Sequence, residues 1–328
     1  MASLVARTAV GGASPGLRGL SFTLALIAVA AVIFAAGRWF GSGYAFFVGY
    51  VVLQYIVLGT AWNILGGYTG YVNFGITAFF AIGAYSTVVL HKLVPALPLP
   101  VMIAVGGVMA GLVGLGTGYL TLRLRGVFFS IATLALAVVV QTLITNWDFV
   151  GGARGAYVLR PRVAPLIGGE YVQYLFLLML GLCVIVLATA RAIERSALGY
   201  GFAAIRDDEG AAEASGVPTL RLKLVATTLS GGFMGMAGAP LPYYVTYLDP
   251  ASGFSLNYAV NAIAMPLIGG TGSWLGPVVG AVVVGGLQEA LRVTISSAVN
   301  VLVAGVLMVA FVIAAPQGIV GLFQRKKR

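Results

Sequence analysis

Chemistry in this chain falls to very few side chains. There is one histidine, His91, one cysteine, Cys183, and nine acids. Five of the acids, Glu194, Asp207, Asp208, Glu209 and Glu213, share one polar stretch with five bases, Arg191, Arg195, Arg206, Arg221 and Lys223. Paired carboxylates serve general acid–base catalysis, and histidine beside serine or cysteine serves nucleophilic catalysis. Neither pairing is legible here. His91 adjoins Lys92 at the end of an apolar run, where an interfacial role suffices, and Cys183 sits inside such a run as a packing residue. A metal site of thiolates or imidazoles needs several of them. A phosphate-binding P-loop needs lysine directly after glycine, but Lys92, Lys223, Lys326 and Lys327 follow His91, Leu222, Arg325 and Lys326. The expectation is a chain that is not an enzyme, with no catalytic residue, metal or cofactor of its own.

The polar stretch points to contact rather than catalysis. Alanines and charges from 202 to 214 predict one short helix. Gly216 suits a left-handed C-terminal cap, and Pro218 prevents continuation. Phe202 and Ile205 share a face, with Asp207, Asp208 and Glu209 crowded in the middle. A helix of about 13 residues is marginal alone. It must lean on the chain's own apolar part or on a partner.

The elements that position this helix are membrane spans. Of 328 residues, 60% are hydrophobic and 9% charged, whereas a soluble domain carries about 25% charge. That excludes a soluble enzyme and a disordered chain. Crossing the bilayer core takes about 20 apolar residues. Ten candidate runs lie at 20–36, 44–65, 73–90, 99–122, 127–146, 171–190, 222–241, 258–268, 275–291 and 298–314, the eighth too short to span unaided. The runs are continuous, which excludes the alternation of a β-barrel. An all-α polytopic transmembrane bundle is predicted. If the amino terminus is cytoplasmic, 13 of the 19 basic residues fall inside, as the positive-inside rule requires. The net charge of +10 then reports orientation in a lipid bilayer, not nucleic-acid binding. The organisation expected is a cytoplasmic segment 1–19, a membrane domain 20–323 with a cytoplasmic loop at 191–221, and a basic cytoplasmic tail 324–328.

Glycine occurs 46 times. Small residues let helices approach closely in lipid, and Gly114/Gly118, Gly231/Gly235 and Gly276/Gly280 lie four apart on one helix face. Two glycine-rich stretches, 66–75 and 269–277, predict interruptions of helix, either broken backbone or ordinary turns. Nonhelical backbone at membrane depth survives only where protein or water covers it, and half-helix ends in transporters often face solute. Asn73, Thr77, Gly269, Gly270, Thr271 and Ser273 are therefore candidates for lining a translocation path. Charged residues are almost absent from the apolar runs; Glu289 and Arg292 are spaced to pair. An ion-coupled carrier usually needs buried carboxylates, so energy must come from elsewhere or transport is passive.

Gly201, Phe202, Ile205, Arg206, Asp207, Asp208, Glu209, Ala211, Ala212, Glu213, Ala214 and Gly216 fill a Gly-aromatic-x-x-Ile-Arg-acidic-acidic-Glu and Ala-Ala-Glu-Ala-x-Gly pattern. It resembles the coupling loop of binding-protein-dependent ABC importer permeases, most closely the LivM type of branched-chain amino acid permease. Four further stretches are similar to that family: 63–70 with Gly75 and 78–85, then 122–135, then 145–148 with Gly151 and Gly152, and 267–277. Gly210 stands where an aliphatic residue is usual. Asn73-Phe74-Gly75-Ile76 stands where Ser-Leu-Gly-His is common, which leaves urea or short-amide import as an alternative.

The resemblance implies a multi-pass permease subunit of the inner (plasma) membrane, both termini cytoplasmic, importing branched-chain amino acids. It implies four kinds of partner: a LivH-like second permease, two ABC ATPase subunits, a periplasmic binding protein and the lipid bilayer. ATP hydrolysis falls to the partners. Gly201, Phe202, Ile205, Arg206, Asp207, Asp208, Glu209, Ala212, Glu213 and Gly216 would couple this chain to an ATPase. A stand-alone secondary carrier is the competing class.

Overall fold

The computed structural model describes residues 15–40, 43–121, 126–160, 169–294, 305–306 and 318–325. Helix dominates, as an apolar chain in lipid demands, because a helix satisfies its own backbone polar groups. Six long helices come first: α1 (Pro15–Phe40), α2 (Gly43–Thr69), α3 (Ile76–Leu93), α4 (Leu99–Thr121), α5 (Val127–Thr145) and α6 (Tyr171–Glu194). Two short ones follow, α7 (Ala197–Asp207) and α8 (Glu209–Ala214). Then come α9 (Thr219–Gly238), α10 (Leu241–Val245), α11 (Pro250–Gly253), α12 (Leu256–Gly269), α13 (Leu275–Gly280), α14 (Gly286–Thr294) and α15 (Gly318–Arg325). A π-helical turn, Ala281–Gly285, joins α13 to α14. Among the described residues, seven stretches are long and apolar enough to cross a membrane, the last being α9 and α10 together as Thr219–Val245. Residues 1–14 of the expected cytoplasmic segment, the run at 298–314 apart from 305–306, and residues 326–328 of the tail lie outside the described residues, as does the Arg292 side chain.

α2 is the centre of the bundle, buried along most of its length and packed by α6, α9 and α12. α1 lies on the outside of α6, where Phe34 meets Phe46 and Phe176. The rest of α1 presents Leu24, Ile27 and Val32 outward, the surface expected of a lipid-facing helix. α3, α4 and α9 form the tightest block. A Cβ on Gly83 would strike the Gly235 carbonyl, and one on Gly235 would strike Ala110 and the Gly106 carbonyl. Gly231 and Gly235 therefore bring backbones together inside one chain, and Gly276 and Gly280 do the same against Gly270 and Met265.

Opposite ends of the bundle are built differently. At one end, β1 (Ala156–Tyr157) pairs antiparallel with β2 (Tyr247–Leu248), with Ala156 opposite Leu248. That ribbon ties the segment after α5 to the segment after α10. At the other end stand α7 and α8. Both glycine-rich interruptions are at this second end. Gly66 and Gly67 are helical, so the first interruption is only Gly70 to Gly75. α2 is 27 residues long, about 40 Å at 1.5 Å per residue, longer than a bilayer core of about 30 Å. Gly70 thus connects α2 to α3 near the end of the span. Gly70 and Gly270 both take positive φ, 77° and 118°, which favours glycine at each helix exit.

One expectation is corrected. Residues 202–214 do not form a single helix. α7 stops at Asp207, and Asp208, in extended conformation at φ −159°, accepts a hydrogen bond from the Ala211 amide to cap α8. Side-chain capping competes with helix continuation for Asp. Gly210 consequently stands in the first turn of α8, where its interior-helix penalty does not apply. Gly216 takes φ 84°, as expected of a left-handed cap.

Candidate functional site

α7 and α8 are held against the bundle on one apolar face. Phe202 is fully buried, and Ile205 and Ala212 nearly so. This settles what the short helices lean on, namely their own chain. Arg206, Asp207, Asp208, Gly210, Glu213 and Gly216 remain exposed, and Arg206 pairs with Asp207 at 3.3 Å in the open. Glu213 turns back to accept from the Thr219 hydroxyl at 2.6 Å, which joins α8 to the start of α9. Gly201 packs beneath Leu222.

Glu209 is different from its acidic neighbours. Its carboxylate turns inward and accepts from the Lys223 ammonium at 2.6 Å and from the Tyr71 hydroxyl at 2.5 Å. Lys223 also donates to the Tyr71 oxygen at 3.2 Å and lies 4.8 Å from the centre of its ring. The Lys223 side chain is 4% exposed and that of Glu209 14%. Burying two ions is tolerable only when they are paired and their remaining polar atoms are satisfied; this triad meets both conditions. Tyr71 is braced edge-on by Phe129 of α5, 5.2 Å away. One carboxylate thus ties together α8, α9 and the first interruption.

The interruption itself is well satisfied. The Trp62 indole donates to the Asn73 carbonyl at 3.0 Å, and the Asn73 side chain accepts from the Gly75 amide at 2.7 Å. Thr133 of α5 accepts from the Phe74 amide, and Ser130 donates to the Val72 carbonyl. Thr77 follows, buried, in the first turn of α3. Backbone that leaves the helix here finds side-chain partners in α2 and α5.

The second interruption is held in a parallel way. Glu194, at the end of α6, accepts from the Trp274 amide at 3.1 Å. Asn63 of α2 donates to the Ser273 carbonyl at 3.3 Å. Gly67 passes so near the Thr271 carbonyl that a Cβ would sit 2.8 Å from it. Arg191 stacks 3.5 Å from the Phe22 ring and reaches Trp274 at 5.5 Å. Gly269 and Gly270 are buried, and Thr271 and Ser273 half-buried.

The candidates therefore separate into three groups. The structure gathers the 201–216 residues at one end, with Glu209 pointing in. It sets Asn73 and Thr77 beside that end on the α2–α3 connection. Gly269 to Ser273 it sets on the α12–α13 connection, also at that end. Two residues of the Glu209 cluster escape sequence reasoning. Tyr71 is hidden in a glycine-rich stretch. Lys223 reads as one more positive residue beside a span; its signal is that it is the last charge of α9, two residues further into the helix than Arg221 and 14 residues after Glu209. His91, at the other end, shares a hydrogen bond of 2.9 Å with the Tyr243 hydroxyl.

Comparison with known proteins adds the following. The family model described as the permease component of branched-chain amino acid transport systems matches residues 44–312. The "High-affinity branched-chain amino acid transport system permease protein LivM" of Escherichia coli (strain K12) is 29% identical over 293 residues, covering 82% of this chain and 68% of that protein. LivM of Salmonella typhimurium matches over the same extent at 29%. The "L-arabinose ABC transporter permease protein AraH" of Azospirillum brasilense is 28% identical over 219 residues, 64% of this chain and 62% of its own. No solved structure matches.

Proposed function

This chain belongs to the family of branched-chain amino acid transport permease components, and from that premise we propose how it works. It is the membrane permease subunit of an ATP-driven importer in the inner membrane, carrying branched-chain amino acids. A LivH-like permease completes the pathway, two ABC ATPase subunits drive it, and a periplasmic binding protein delivers the solute. The end bearing α7 and α8 faces the cytoplasm, as do residues 1–19 and the tail 324–328. The ribbon of β1 and β2 faces outward.

The observation that carries this reading is that two acids of one polar stretch, the exposed Glu194 and the inward-turned Glu209, each hold one interruption. Glu194 opens the stretch and holds the second interruption at Trp274. Glu209 lies in its middle and holds the first at Tyr71. A partner that moves α7 and α8 bears on the first connection through Glu209 and on the second through the end of α6, to which α7 is joined at Arg195-Ser196, and so on α2, α3, α12 and α13. Arg206, Asp207, Asp208 and Glu213 stay exposed for docking on the ATPase, where charge fixes register and partner choice. Asn73, Thr77, Gly269, Gly270, Thr271 and Ser273 lie where the path must open to the cytoplasm.

The test is reconstitution of the assembled transporter in proteoliposomes. ATP-dependent uptake of leucine, isoleucine and valine is the expected result. Uptake of urea, a short amide or L-arabinose in their place overturns the substrate. Uptake by this chain without an ATPase overturns the coupling.

A further inference from the structure

At the end away from α7 and α8, a cavity of about 300 Å³ opens between α2, α10 and the start of α12. Its size is at the lower bound of small-molecule sites. Among the described residues none of its lining side chains carries a charge at neutral pH; the nearest acid is Asp249, whose carboxylate accepts from the Ser252 hydroxyl. Gln54, Tyr55, Ser255, Asn257 and Tyr258 supply amides and hydroxyls, while Val51 and Leu241 supply apolar wall. The floor is organised. Gln54, 2% exposed, donates to the Tyr50 hydroxyl at 3.3 Å and to the Ala237 carbonyl at 3.1 Å. Tyr50 stacks on Tyr244 with ring centres 4.4 Å apart. Behind Tyr55, Asn261 donates to its hydroxyl and accepts from Gln288, at 3.3 and 3.0 Å. Polar side chains inside membrane spans are costly and point to function. Here they form a neutral, hydrogen-bonding lining that leads from the cavity into the bundle.

We propose that this cavity is the outer mouth of the permeation path, where a small solute of zero net charge is first held. A zwitterion suits it: amides and hydroxyls offer both donors and acceptors, so ammonium and carboxylate are each solvated while neither is trapped by an opposite charge. An aliphatic side chain finds Val51, Leu241 and the tyrosine faces. The choice of amino acid as occupant rests on the importer reading above; a sugar shares the same neutral hydrogen-bonding chemistry.

The test uses the assembled transporter in proteoliposomes with Cys183→Ala and Asn257→Cys, treated from outside with a membrane-impermeant maleimide. Asn257 is exposed in the first turn of α12. Labelling is expected to cut uptake at least tenfold, and excess transported solute is expected to slow labelling. Tyr157→Cys, on the exposed ribbon, is expected to label with uptake unchanged. Ser252→Cys, on the same cavity, replaces Asn257→Cys if that variant does not assemble. Full labelling with uptake within twofold of the unlabelled protein overturns the assignment. So does failure to label in any state while Tyr157→Cys labels. Leucine and L-arabinose are both measured. Uptake of arabinose alone, blocked by the label, refutes the amino acid reading and leaves the mouth assigned.

Discussion

Replacing Lys223 by methionine strips the ammonium from the Glu209 carboxylate and keeps the length of the stem. Removing one partner of a buried ion pair costs about 3–5 kcal/mol. Glu209 retains the Tyr71 hydroxyl and some exposure, 14% of its side chain, so the expected cost is about 3 kcal/mol, the lower end of that range. At 1.4 kcal/mol per decade, this is a factor of about 100 in the equilibrium that keeps α8 docked. Glu209→Leu leaves the ammonium buried and should cost a similar amount. The double variant removes both charges, and replacement of a whole buried pair by apolar groups is often neutral. The pair should therefore be far from additive, with a coupling of about 2 kcal/mol or more. Two assays report it. Unfolding of the purified protein in a denaturing detergent titration gives the four stabilities of the cycle. The ratio of solute-stimulated to basal ATPase in the assembled transporter gives the coupling of movement. Both single variants should lower that ratio. If the two single costs add within about 0.5 kcal/mol, the charges do not act on each other and the grip of Glu209 on α9 is refuted.

Three further perturbations follow. Tyr71→Phe removes a hydrogen bond to a charged acceptor, worth about 1.5–3 kcal/mol, and should lower stimulated ATPase while leaving membrane insertion intact, as protease protection would show. Asp208→Ala removes the cap of α8 and should cost about 1 kcal/mol, whereas Gly210→Ala, whose Cβ would meet only the Asp208 carboxylate at an ordinary 3.4 Å, should be neutral or slightly stabilising. If helix ran unbroken from 202 to 214, Asp208→Ala would stabilise instead; thermal denaturation of the purified chain distinguishes the two. Gly83→Ala drives a methyl into the Gly235 carbonyl and should cost at least about 1–3 kcal/mol, read as a lower midpoint in the same melt.

Much of the fold is legible because lipid simplifies the problem. Runs at 44–65, 99–122 and 127–146 become α2, α4 and α5 with bounds moved by a few residues, since only helix satisfies an apolar backbone there. Gly66 and Gly67 read as breakers because in water glycine weakens a helix. In the bundle they are helical, and Gly67 makes room for the Thr271 carbonyl. The split at Asp208 is obscured by alanines on both sides and glutamates after it, all good helix formers. Its one trace is an Asp ahead of the Ala211 amide that it caps. The exposed charges of Arg206, Asp207 and Asp208, proposed above for docking, are legible from the sequence. The partnership of Tyr71, Glu209 and Lys223 is not, because it joins three separate stretches and depends on which way one acid turns.

The span Thr219–Val245 carries both ends of the molecule's business. Lys223 sits near its start beside Glu209, and Tyr244 stands near its last residue, stacked on Tyr50 at the outer cavity. Across its middle it is locked to α4, with Gly235 against the Gly106 carbonyl. That lock opposes a shift of α9 at one end alone, and α10 is joined to it by only the two-residue turn at 239–240. Any free energy by which α8 biases the outer cavity must return in equal measure, so that a solute resting there biases the hold on α8 by the same factor. Occupancy of the cavity is in this sense information already present at α8.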